Sequence, residues 1–374
     1  MLELPPISLY IHYPWCVKKC PYCDFNSHDG EIQSGYIKAL LKDLDNDLQY
    51  LQNRYIHSIF IGGGTPSLMS INDAKELFNG LKMRLPISKD IEITLEVNPG
   101  TFEIEKFANF REVGINRLSI GVQSFNNDQL KFLGRIHSGE EAVNAIYEAK
   151  KVGFDNINID LMYGLKNQSI KESKEDLIKA INLSPSHISF YQLTLEPNTL
   201  FAKFPPRLPN NEHIWDMGDK GAGLLQSQGF NQYEVSAYSN RPSHHNINYW
   251  EFGDYLGIGA GAHGKITDMN SKNIFRTLKP KSPNDYLKKF QKNVEKSTIK
   301  NIENVAFEFM LNGLRLKQGI NTNLFESRTG KSIEIIGPQI DEAINLGLLT
   351  KKDRQIKPSK KGFNFLNNLQ EIFL

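Results

Sequence analysis

The sequence predicts an α/β fold: a parallel sheet built from six βα units, followed by a small winged-helix-like α+β domain. Three observations carry this. Six β-rich runs alternate with helical segments over the first two-thirds of the 374 residues, and strands separated by helices pair in parallel. The chemically suggestive residues fall at or just past the carboxyl ends of those strands, where α/β sheets and barrels place their ligands. From about residue 284, two amphipathic helices, a short basic hairpin and a last helix follow in winged-helix order. Six units allow either an open doubly wound sheet or a partly closed barrel.

The elements follow in order. SLYIHY (8–13) is a short apolar, β-rich run. Ile37, Leu40, Leu41, Leu44, Leu48 and Leu51 recur at helical spacing across 36–53. SIFIGGG (58–64), a helix near 72–84, IEITLEV (91–97), a helix near 104–113 and RLSIGV (117–122) continue the alternation. A long helical stretch to Val152, NINIDLMY (156–163), a helix near 171–182 and HISFYQLT (187–194) complete it. After Ser239 the rhythm ends in an irregular, Gly- and aromatic-rich stretch. VAFEFMLNGLRL (305–316) and IDEAINLGLL (340–349) then read as amphipathic helices. The expected division is a core at 1–236, a connecting segment at 237–283 and a C-terminal domain at 284–374.

Hydrophobic residues make up 40% and charged residues 23% of the chain, ordinary for a globular protein. A formal net charge of +2 gives no global field favouring nucleic acid or membrane. The start, MLELPPISLYIHYP, has no basic segment followed by an apolar one, so no signal peptide is expected, and the apolar runs are too short to span a bilayer. Cys16, Cys20 and Cys23, the only cysteines, lie within eight residues. Three thiols that close together make poor disulfides, which points to the cytoplasm and to metal ligation.

Soft thiolates at CxxxCxxC spacing ligate zinc or iron–sulfur clusters. A structural zinc site wants a fourth protein ligand, for which His12 and His28 are the nearby candidates. The alternative is a 4Fe–4S cluster on three thiolates with one iron left open. IFIGGGTPS follows the second strand, and its glycines would let exposed backbone groups come close to a ligand.

CxxxCxxC with Tyr22 before the last cysteine, just after the first strand of a βα series, resembles the radical S-adenosylmethionine (radical SAM) superfamily. That resemblance implies a partial (β/α)6 TIM-type barrel, with the open iron chelated by SAM and the glycine motif on the SAM amino group. LYIHYPWCVKKCPYCDFNSH, IGGGTPSLM, LEVNPG, SIGVQSF, LGRIHS and NIDLMYGL together resemble the oxygen-independent coproporphyrinogen III oxidase-like group. In that group Tyr10, Gly63, Gly64, Thr65, Glu96, Gln123, Arg135 and Asp160 match positions that contact SAM, with Tyr22 beside them. Glu96 and Asp160 suit ribose hydroxyls or an ammonium, and Arg135 a carboxylate. Lys166 stands where the group has proline, so a looser loop is expected there.

Two departures point to the HemW branch of the group, described as haem chaperones. The oxidase members have a fourth cysteine where this chain has Phe25, and an extension ahead of a loop that here begins at Cys16. His245, Asn246, Tyr249 and Trp250 match the HNxxYW motif associated with haem in that branch. Imidazole is a good axial ligand for haem iron, and Tyr and Trp can wall its apolar face. His244 competes for the ligand role, and His263 is a further polar candidate near the haem. GIGAGA (257–262) matches a dinucleotide fingerprint but lacks its βαβ context and reads as a tight turn.

KKDRQIKPSKK has seven charges, six of them positive. It reads as a solvated hairpin, without nucleic acid as a partner, and could be drawn weakly to anionic lipid. The resemblance thus implies a cytoplasmic haem chaperone, peripherally membrane-associated at most, that hands haem or a related porphyrin to apo-haemoproteins such as respiratory cytochromes. In that reading coproporphyrinogen dehydrogenase-type turnover is weak or absent. The alternative is the oxidase itself, which decarboxylates coproporphyrinogen III to protoporphyrinogen IX in porphyrin biosynthesis.

Overall fold

The computed structural model describes residues 1–99, 104–292 and 297–374. Gly100, the last residue of LEVNPG, lies outside them. β1 (Ile7–Tyr13), β2 (Ile56–Gly63), β3 (Ile87–Val97), β4 (Arg117–Gln123), β5 (Asn156–Tyr163) and β6 (His187–Gln192) are six neighbouring parallel strands. Their sequences are near-continuous apolar runs because a parallel sheet is covered on both faces. Strict alternation of apolar and polar residues is therefore absent, and Leu9, Ile11, Ile59, Ile61, Leu118, Ile120, Ile157 and Ile159 are all buried. Several of the intervening helices begin at side-chain caps. Ser138 with Glu141, and Ser169 with Glu172, form capping boxes.

Three parts differ from the sequence reading. The stretch after Ser239 is regular. β7 (Ala237–Ser239) pairs antiparallel with β6 at one edge. β8 (Asp254–Ile258) pairs parallel with β1, and β9 (His263–Asp268), β10 (Asn273–Leu278) and β11 (Thr298–Asn301) extend that edge antiparallel. The result is one 11-stranded sheet in the order β11-β10-β9-β8-β1-β2-β3-β4-β5-β6-β7, curled as a partial barrel. The helical stretch before Val152 is two helices, Asn127–Phe132 and Gly139–Lys151. The break falls at Gly134, at φ +72°, where a Cβ would lie 2.7 Å from the Pro21 ring. Finally, the helix Pro283–Lys292 falls by sequence in the C-terminal domain, but its Tyr286, Leu287 and Phe290 pack in the barrel core.

A second core holds Phe309, Met310, Phe325, Ile340, Ala343, Ile356 and Leu369. Helices Val305–Gly313, Thr322–Thr329 and Gly337–Asn345 surround it, with the hairpin Leu349–Lys352/Gln355–Pro358 as the wing. Phe252, on the barrel side, packs in this core, and Arg315 reaches Glu234 at 3.4 Å, fixing the small unit to the large one.

Candidate functional site

The cysteine loop leaves β1 at its carboxyl end. Trp15–Cys16 pairs with His28–Asp29, closing residues 17–27 into a loop. All three thiols are half-buried and unpaired. Thr65 Oγ1 donates to Cys16 Sγ at 3.5 Å, Arg135 Nη1 to Cys20 Sγ at 3.8 Å, and Ser27 Oγ lies 3.8 Å from Cys23 Sγ. Burial raises the pKa of Cys16 and Cys23. The His12 imidazole is spoken for: Tyr10 Oη lies 2.9 Å from Nδ1 and the Asn26 carbonyl 2.9 Å from Nε2. Burial lowers its pKa, so the ring is neutral. Because a carbonyl only accepts, Nε2 carries the proton and Nδ1 accepts from Tyr10. His12 is thus no free fourth ligand, while His28, paired with Trp15 where the loop closes, has a buried Nε2 without a partner; the three soft thiols are the donor set that a cluster with one open iron uses.

The other sequence-derived positions converge on the same end of the barrel. The Gly63 amide donates to Glu96 Oε2 at 3.0 Å, the Gly64 amide to the Tyr13 carbonyl at 2.8 Å, and the Thr65 amide to the Trp15 carbonyl at 2.7 Å. The glycine-motif amides are therefore engaged within the protein, not exposed as the sequence suggested. The glycines are needed because this turn presses on the cysteine strand. A Cβ on Gly63, at φ +116°, would lie 2.6 Å from the His12 ring, and one on Gly64 would lie 2.5 Å from the Trp15 carbonyl.

Gln123 sits at a bulge in the β4–β5 register with φ 69°, and accepts from Tyr191 Oη at 2.6 Å. Such strain in a non-glycine residue clusters at functional sites. Arg135 is held by Asn98 Oδ1 at 3.1 Å and the Gly121 carbonyl at 2.6 Å, while its buried Nε has no partner. Tyr22 packs beside Phe201, and burial raises its hydroxyl pKa, as it does that of Tyr10. Asp160 accepts from Asn158 Nδ2 at 2.7 Å and Ser119 Oγ at 3.2 Å. The Lys166 loop is not loose: Gln129 donates to the Lys166 carbonyl at 3.1 Å, and Gln168 Oε1 accepts from the Leu165 amide at 3.1 Å.

Burial, then the Asp160 charge, pushes the Glu96 carboxyl up to about 7. A raised folded-state pKa means the folded chain holds a proton that the unfolded chain releases from about 4.5 upward. Stability from this group therefore falls between pH 4.5 and 7, and the loss persists above. Glu96→Gln should be more stable than wild type at pH 8 by on the order of 3 kcal/mol, with no such gain at pH 4.5. Melting curves of both proteins at the two pH values check this, and equal gains at both would refute the burial argument.

The HHNINYW stretch is a short helix, His244–Trp250, capped by Ser243. It does not present one face. A helix turns about 100° per residue, so His245 and Tyr249, four residues apart, share a face, whereas Trp250 points away from it. His245 is 3% exposed and reaches into the barrel, with Nδ1 2.9 Å from Ser58 Oγ on β2. Its ring lies 5.1 Å from Phe60 and 5.0 Å from Tyr249, and Phe60 in turn stacks on Tyr10. Burial, then Arg117, drives its pKa down to about 3, and Nε2 is buried with no partner. Trp250 instead lies under the Arg315 guanidinium, 4.3 Å away. The expected common wall of Tyr249 and Trp250 is thus split, and His245 packs against β2. His244 is exposed, its ring 5.8 Å from that of His57. His263 stands at the opposite end of β8 from this helix, away from the motif it was expected to join.

A βα barrel whose first strand feeds a three-cysteine loop, with a glycine turn and buried carboxylates closing around it, defines a radical SAM protein. Residues 10–178 match the Radical SAM superfamily and residues 303–365 the HemN C-terminal domain. The chain is 48% identical to "Heme chaperone HemW" of Escherichia coli over the whole of both sequences, and 48% identical to that of Haemophilus influenzae over 100% of this chain and 99% of the other. It belongs to the HemW branch of the superfamily. The same-named Bacillus subtilis protein is 32% identical over 98% of this chain and 99% of its own. The crystal structure of the coproporphyrinogen III oxidase HemN of E. coli, a radical SAM enzyme, superposes with a TM-score of 0.83 at 22% identity, over 99% of this chain and 90% of that one. That likeness establishes the fold. The family implies a 4Fe–4S cluster and SAM.

Asn26, Tyr36, Asn98 and Tyr191 join the site although the sequence reading gives them no role, Asn26 and Asn98 from within the quoted CDFNSH and LEVNPG segments. Each acts through a contact to a residue distant in the chain, for which no local pattern exists.

Proposed function

We propose that this protein is a haem chaperone that holds a SAM-ligated 4Fe–4S cluster and hands haem to apo-haemoproteins such as respiratory cytochromes. Cys16, Cys20 and Cys23 are the cluster ligands. SAM would be held at the carboxyl ends of the strands, where Glu96 and Asp160 would accept from its ammonium or ribose hydroxyls, Arg135 would pair with its carboxylate, and Gln123 would lie beside it. Tyr10, Tyr22, Gly63, Gly64 and Thr65 shape that site. Phe25, 59% exposed, stands where an oxidase would have its fourth cysteine, which supports the chaperone over the decarboxylase.

The observation that carries the haem half is His245. Its imidazole is neutral, Nδ1 is held by Ser58, and Nε2 has no partner. A ligand imidazole is oriented in this way by a bond to its second nitrogen. Ligation requires the short helix to move off the barrel, with Tyr249, on the His245 face, then free to cover the macrocycle. His244, already exposed, is the second candidate.

Haem titration tests the ligand. His245→Ala should weaken binding and shift the Soret band, while His244→Ala changes both less. Equal binding by wild type and His245→Ala would move the ligand to His244, and wild type that binds no haem would end the chaperone reading. Among the described residues no helix is long and apolar enough to cross a membrane. We place the protein in the cytoplasm. Lys351, Lys352 and Arg354, exposed on the wing, supply weak attraction to anionic lipid of about 1 kcal/mol each.

A further inference from the structure

The Gly-rich turn at 257–262, which resembles a nucleotide fingerprint, has a different use in this fold. It follows β8 and lies against the cysteine loop. Asn26, three residues after Cys23, donates from Nδ2 to two of the backbone carbonyls around it: Ala260 at 2.9 Å and Lys281 at 2.9 Å. The Asn26 carbonyl receives the His12 imidazole at 2.9 Å. One residue thus ties the cysteine loop both to β1 and to a segment more than 230 positions away.

The turn is shaped for that contact and held rigidly. A Cβ on Gly261, at φ +80°, would lie 2.4 Å from Asn26 Nδ2, and one on Gly259, at φ +108°, 2.3 Å from the His12 carbonyl. Tyr36 Oη donates to the His12 carbonyl at 2.9 Å and accepts from the Ala260 amide at 2.9 Å. The Gly259 amide donates to Tyr286 Oη at 3.1 Å and Asp43 Oδ2 at 3.2 Å. Asp43 is itself paired with buried Lys279, which also binds Asp47 at 2.7 Å. A buried polar network of this kind, fully partnered, fixes one arrangement of the chain.

We propose that Asn26 is a positioning residue that locks the cysteine loop onto the 259–262 turn and so orders the loop before any cluster is present. This rests on the cluster assignment above, but the loop's order in the metal-free chain tests it separately. Asn26→Ser removes both carbonyl contacts without adding charge, and Gly261→Ala crowds the same contact from the other side.

The experiment is hydrogen–deuterium exchange of the 16–29 amides in iron-free wild type and both variants, with melting curves, then chelator challenge of the reconstituted proteins. Loss of two hydrogen bonds should speed loop exchange and cluster loss by about tenfold or more, with the melting midpoint nearly unchanged. Wild-type exchange and cluster lifetime in both variants would overturn the proposal. So would a collapse of the whole fold in both, which would make Asn26 an ordinary structural residue. If wild type takes up no cluster, the cofactor assignment fails, while the exchange comparison still decides whether Asn26 orders the loop.

Discussion

Replacing any one of Cys16, Cys20 or Cys23 with serine should abolish the 4Fe–4S spectrum of anaerobically reconstituted protein. The chain has no other cysteine to substitute, and a serine hydroxyl does not ionise to a soft anion at neutral pH. Of the two histidines beside the loop, His12 has both ring positions engaged by Tyr10 and Asn26, and His28, whose Nε2 has no partner, supplies a harder nitrogen in place of a thiolate. The fold itself should survive, because neither the barrel core nor the second core includes a thiol. Iron and acid-labile sulfide per chain, measured beside far-ultraviolet circular dichroism, separate loss of the cluster from loss of the fold. A wild-type protein that contains stoichiometric zinc and no iron after anaerobic preparation would contradict the assignment.

Gly63→Val and Gly64→Val should eliminate the change that SAM produces in the electron paramagnetic resonance signal of the reduced cluster. At Gly63 the left-handed backbone alone costs about 1–2 kcal/mol for a residue with a Cβ, and the added atom meets the His12 ring at 2.6 Å. Displacing that ring breaks the Tyr10–His12–Asn26 chain. At Gly64 the obstruction is the Trp15 carbonyl at 2.5 Å, backbone immediately before Cys16, which has no rotamer by which to escape. Both changes distort the junction proposed to hold the cluster and SAM. A full SAM response in either variant would show that the turn plays no part in the cofactor site.

The parallel strands were legible because each is a continuous apolar run bounded by a helix, and the cysteine loop because its spacing is local. What the sequence did not reveal depends on partners far along the chain. DYLGI is too short to read as a strand alone, and becomes one only by pairing with β1, near the start of the chain. The amphipathic pattern of Pro283–Lys292 does not say which of two cores it covers. The glycine motif signalled close approach, but not that the approaching group is the His12 ring and the Trp15 carbonyl. HHNINYW pointed to haem only through its resemblance to the HNxxYW motif, while the packing that buries His245 and sends Trp250 toward Arg315 is a tertiary outcome.

The central claim is that the barrel serves haem transfer and not porphyrinogen decarboxylation. The direct test is one anaerobic reaction in which reconstituted, haem-loaded protein with SAM and a reductant meets both an apo-haemoprotein and coproporphyrinogen III. The account predicts that the acceptor gains its holo spectrum while coproporphyrinogen III is not consumed. Steady formation of protoporphyrinogen IX, with the acceptor left without haem, would contradict it.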